Sequence, residues 1–128
     1  MNIYLVRHGD VHNVNKIFYE RLPRFKLSEK GKRQISQTAE YLLDKKIDSI
    51  YTSPLLRTRQ TAGIIQRALG IPQVSITKEV IEIKSSFRGK SLHVLQEMNF
   101  DFFFSSMRDS QDETMEQIVE RMQKSIRN

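Results

Sequence analysis

The chain has 128 residues, 38% hydrophobic and 28% charged, with a formal net charge of +6 and no cysteine. That length supports one domain with a real core, and the missing cysteines exclude disulfides and thiol catalysis and fit a reducing compartment, the cytoplasm. No run of about 18 apolar residues marks a spanning helix, and "NIYLV" at the start lacks the basic, apolar and small-residue regions of a signal peptide.

The elements read as follows in chain order. Asn2–Val6 predicts a short buried strand, apolar on both faces as parallel-sheet strands are. Residues 10–27 read as irregular and carry Pro23. In "KLSEKGKRQISQTAEYLLDKK", Ser28 is the expected N-cap and Glu29 suits the positive helix end. Ile35, Ala39, Leu42 and Leu43 then fall on one helical face. "DSIYTSP" predicts a second strand stopped by Pro54. "LLRTRQTAGIIQRALG" predicts a second helix, with Thr61, Ile64, Ile65, Ala68 and Leu69 on one face and Gly70 as its stop. "IPQVSIT" reads as a third strand. The alternation of strand and helix argues for an α/β domain with a parallel sheet.

Beyond Glu82, "IKSSFRGKSL" reads as polar and turn-like, and "HVLQEMNFDFFFSSM" as a helix followed by an aromatic knot of Phe100, Phe102, Phe103 and Phe104. "DSQDETMEQIVERMQKSIRN" predicts an amphipathic helix with a stripe of Met115, Ile118, Val119, Met122 and Ile126.

The basic surface favours anionic ligands. Its lysines and arginines are scattered, without a basic block or a nucleic-acid signature, so neither nucleic acid nor a membrane is an expected partner. In open α/β sheets, ligands bind beyond the carboxyl ends of the strands. Arg7 and His8 follow the first strand there, Ser53 and Arg57 the second, and Glu79 and Glu82 the third. Arginines bind phosphoryl oxygens best, a neutral imidazole can attack phosphorus, and a protonated carboxyl can protonate a leaving alcohol. The arginines supply the positive charge, so neither metal nor cofactor is expected.

"LVRHGD", "LSEKG", "SPLLRTRQTA" and the later Glu82, four blocks in order, resemble the histidine phosphatase superfamily, the phosphoglycerate mutase-like proteins. "RHGDVHN…FYERLPRFKLSEKG" resembles its small bacterial phosphatases in particular. The resemblance implies a three-layer α/β/α fold with a mainly parallel sheet. It implies hydrolysis of a phosphorylated small molecule through a phosphohistidine. His8 would be the nucleophile, Arg7 and Arg57 the phosphoryl ligands, and Glu82 the acid–base carboxylate. Glu113, Thr114 and Arg121 match the helix that precedes the family's second histidine.

The chain departs from the family pattern in three places. The phosphate-binding asparagine's place is Val14, flanked by Asn13 and Asn15; either can substitute, and the expectation falls on Asn13. The glycine, tryptophan and glutamate after the acid are Ser85, Phe87 and Arg88. The second histidine has no counterpart: His12 lies in the loop of His8, and His93 is expected to pack on a helix. The expectation is therefore a single partial domain, truncated before that motif. It is expected to be weakly active or inactive, the alternative being a non-catalytic phosphate-binding or interaction domain, or an inactive fragment. It is also expected to homodimerise through an open sheet edge or its C-terminal helix.

Overall fold

The computed structural model describes residues 1–103 and 108–127. These form two compact units, one of Met1–His12 with Arg24–Ile76, the other of Asn13–Pro23 with the chain from Thr77 onward.

The first unit carries α1 (Glu29–Leu42), β1 (Ile50–Thr52), α2 (Leu56–Leu69) and β2 (Val74–Ile76). Helix α1 begins where the Ser28 hydroxyl accepts from Gly31 N at 3.0 Å, satisfying a donor that a helix start leaves unpaired. Helix α2 ends at Gly70, whose φ of 69° is left-handed and suits glycine. The two helices pack together. Ile35, Ala39, Leu42 and Ile65 form the core between them, flanked by Ile47, Ile50, Ile64 and Leu69. Strands β1 and β2 pair in parallel, Tyr51 opposite Ser75. The α/β architecture with a parallel sheet is thus present. Two face assignments differ: Leu43 and Ala68 are exposed, while Gly31 and Ala62 turn inward.

The expected first strand does not form. Asn2–Val6 takes no ladder partner among the described residues, and Ile3 and Leu5 are 54% and 83% exposed. A strand needs a neighbour for its backbone N–H and C=O groups. Among the described residues, β1 and β2 pair only with each other.

In the second unit, a 3-10 turn at Lys78–Val80 follows Thr77, whose hydroxyl accepts from Glu79 N at 3.2 Å. Helix α3 (Leu92–Glu97) starts at Ser91, which caps His93 N, and it buries Leu95 completely. The aromatic knot centres on Phe102. It stacks on Phe18 at 5.0 Å, meets Phe87 edge-on at 5.6 Å and lies 6.3 Å from Phe100. Phe103 lies beneath the Arg108 guanidinium, and Phe104 lies outside the described residues. Helix α4 (Met115–Arg127) opens with a reciprocal capping box: Thr114 N donates to Gln117 Oε1 at 2.9 Å, and Gln117 N to Thr114 Oγ1 at 3.2 Å. Its apolar stripe leaves Met115, Val119 and Ile126 exposed.

Candidate phosphoryl-transfer site

The residues from Arg7 to Asp10 form a loop clamped by the starts of both helices of the first unit. From the side of α1, Ser28 N donates to Asp10 O at 2.9 Å, the Ser28 hydroxyl to Asp10 Oδ2 at 2.6 Å, and Asp10 N to Gln34 Oε1 at 2.9 Å. A short antiparallel bridge between Val11 and Leu27 continues the contact, and Leu27 N donates to Gln60 Oε1 of α2. The backbones touch. A Cβ on Gly9 would lie 2.5 Å from Gly31 O, and one on Gly31 would overlap Asp10 O. Glycine is required at both positions by close approach. The block "LSEKG" therefore caps α1, offers a bare backbone to the loop and anchors Asp10.

From the side of α2, Thr61 Oγ1 accepts from Gly9 N at 3.3 Å and donates to Arg57 O at 2.9 Å. One hydroxyl thus ties the loop beside His8 to the turn that bears Arg57. Arg57 is 1% exposed. Its Nε makes no hydrogen bond among the described residues, although the residue has other interactions. Just after it, the Thr58 hydroxyl meets Ser53 Oγ at 2.6 Å and donates to Leu55 O at 2.8 Å. Leu55 at the N-cap position gives no side-chain hydrogen bond to the helix start. Arg7 is exposed and His8 half-buried. His8 Nδ1 lies 2.8 Å from Gly9 O. A carbonyl only accepts, so Nδ1 carries the proton and the lone pair of the neutral ring sits on Nε2.

Asn13 and Glu82 belong to the second unit. Asn13 Nδ2 donates to Ile17 O at 2.9 Å, and its Oδ1 accepts from Ile17 N at 3.2 Å, bracketing its own loop. Its second amide hydrogen has no hydrogen bond among the described residues. Glu82 is half-buried, and its Oε1 accepts from Ile83 N at 2.9 Å. Around it stands an ion-pair network that sequence reasoning missed. Glu113 receives Arg121 Nε at 2.6 Å, Arg21 Nη2 at 3.2 Å and Lys84 N at 3.0 Å. Burial pushes the Glu113 carboxyl up, but the bonds from Arg121 and Lys84 N and the charges of Arg121 and Arg21 outweigh it, so it titrates below its usual range. The match of Glu113 and Arg121 to the family helix was the signal for this network.

The chain has two other histidines. His12 is exposed. His93 does not pack: its side chain is 76% exposed and pairs with Glu97 one turn on, at 3.0 Å. Among the described residues no group of three or more His, Asp or Glu is placed to hold a metal ion, and no helix is long and apolar enough to cross a membrane.

The family model of the histidine phosphatase superfamily (branch 1) matches residues 3–128. The chain is 38% identical over 88 residues to the protein Rv0525 of Mycobacterium tuberculosis, a stretch covering 69% of this chain and 43% of that one. It is 29% identical over 120 residues to the phosphatase PhoE of Bacillus subtilis, covering 94% and 60%. Among solved structures, YhfR of Bacillus stearothermophilus superposes with a TM-score of 0.76 at 22% identity, covering 94% of this chain and 63% of that one. The mycobacterial glucosyl-3-phosphoglycerate phosphatase Rv2419c with VO3 superposes with a TM-score of 0.77 at 20% identity, covering 94% and 62%. The chain thus spans less than two thirds of the length of each of these relatives.

Proposed function

Because the chain belongs to the histidine phosphatase superfamily, we propose that it transfers a phosphoryl group from a phosphomonoester, through His8, to water. The observation that carries this reading is the bond from His8 Nδ1 to Gly9 O, which puts the nucleophilic lone pair on Nε2. In the first step Nε2 attacks phosphorus, the ester P–O bond breaks, and Glu82 gives its proton to the leaving alkoxide. In the second step Glu82 takes a proton from water, the water oxygen bonds to phosphorus, and the P–N bond breaks. Arg7, Arg57 and the remaining amide hydrogen of Asn13 are the proposed ligands of the phosphoryl oxygens. The substrate is a phosphorylated small molecule, and the proposed compartment is the cytoplasm.

A specific observation favours a second reading, a phosphate-binding domain with little turnover. The resemblance calls for a second pocket histidine, while His12 is exposed and His93 is held by Glu97. Losing one preorganised donor lowers a rate about a hundred- to thousand-fold. Assay with p-nitrophenyl phosphate separates the readings. Turnover at a rate normal for a competent phosphatase, lost in His8→Ala, supports the first. Phosphate binding with trace turnover supports the second.

A further inference from the structure

The segment Glu82–Ser85 is polar and has no periodic apolar positions to fix it. Three side chains hold it instead. Arg21 Nε donates to Glu82 O at 2.6 Å, Lys84 N to Glu113 Oε2 at 3.0 Å, and Ser85 N to Glu20 Oε2 at 2.8 Å. Glu20 is 1% exposed, a carboxylate committed to the interior of the second unit. Arg21 and Glu113 are joined at 3.2 Å, and Arg121 of α4 grips Glu113 with two bonds while its Nη1 donates to Glu79 O at 2.9 Å. Backbone carbonyls and N–H groups on either side of Glu82 are thus tied to partly buried charges, which resist displacement more than exposed pairs do.

We propose that Glu20, Arg21 and Glu113 form a clamp that sets the position of the Glu82 carboxyl, with Arg21 as the positioning residue. What that position serves rests on the phosphoryl-transfer reading; the coupling itself does not. A carboxyl that must meet a leaving oxygen tolerates little displacement, since a shift of about 1 Å can cost a hundredfold in rate.

The test is NMR on the full chain, with the Ile83 amide as reporter because it donates to Glu82 Oε1. In the native chain the Ile83 amide shift should titrate together with the Glu82 side-chain carboxyl carbon. In Arg21→Gln that joint titration should collapse and Ile83 amide exchange should quicken about tenfold. Exchange at Leu95, whose N–H donates to Ser91 O, should stay as in the native chain. A purely structural Arg21 would loosen Leu95 along with Ile83 and leave the Glu82 titration intact. Should Arg21→Gln not fold, Arg21→Lys keeps the charge facing Glu113 but drops the Nε bond, and the same collapse is expected. An unchanged Ile83 titration in either folded variant overturns the clamp. The functional reading is tested separately by Glu82→Gln. Unchanged phosphomonoester turnover there would remove the acid–base role of Glu82 and leave the clamp standing on its NMR signature.

Discussion

The pair of residues that most defines the proposed chemistry is His8 and Arg57, and the chain holds both by other residues' bonds. Gly9 fixes the imidazole tautomer through its carbonyl and fixes the loop through its N–H on Thr61. Arg57 is buried beside that same threonine's helix turn. Arg57→Ala should therefore weaken binding of phosphate or vanadate by about 1.5–3 kcal/mol, the weight of a hydrogen bond to a charged group. Isothermal titration with each anion reads this directly, and unchanged affinity would remove Arg57 from the site. The sequence proposes the histidine, both arginines and Glu82 as site residues because each stands in a short block of fixed spacing. The partners Gln34, Gln60 and Glu20 were not legible, because each acts through one long-range hydrogen bond that leaves no periodicity in the sequence.

Among the elements, the start of α1 carries the closest packing constraint. Gly31 lies under Asp10 with no room for a methyl group between two backbones. Gly31→Ala must displace the His8 loop or the helix, and overpacking of this kind costs about 1–3 kcal/mol. Thermal unfolding should show a lowered Tm; an unchanged Tm would mean that the loop does not rest on α1. The 113–121 network makes a pH prediction. The folded Glu113 carboxyl titrates below the usual 4.5, so its contribution is fully present above that pH and fades as pH falls through the lowered value. Acid unfolding below about pH 4.5 should be steeper in the native chain than in Glu113→Gln. Equal slopes would show that Glu113 adds nothing to stability. Helices α1, α2 and α4 were readable from caps and 3.6-residue periodicity, α2 to within a residue at each end, whereas α4 starts only at Met115, six residues into the stretch "DSQDETMEQIVERMQKSIRN". The segment Asn2–Val6 was misread because its apolar run reports what a strand would bury, whereas pairing depends on a neighbouring strand that local sequence cannot supply.

At the scale of the whole molecule, the net charge of +6 suits an anionic substrate and predicts binding that weakens with salt. The exposed residues Met115, Val119 and Ile126 of α4, with Ile3 and Leu5 near the N-terminus, leave apolar surface uncovered. Self-association is the expected consequence. Light scattering should show dimers at high concentration, reduced in Val119→Glu, and a strictly monomeric native chain would contradict it. The central claim is that His8 is the phosphorylated nucleophile. The most direct measurement is to incubate the native chain with a radiolabelled phosphomonoester, trap the protein in base and map the label by mass spectrometry. The account predicts an acid-labile, base-stable phosphoryl group on the peptide containing His8, absent from His8→Ala. Label on another residue, or label and turnover surviving in His8→Ala, would contradict it.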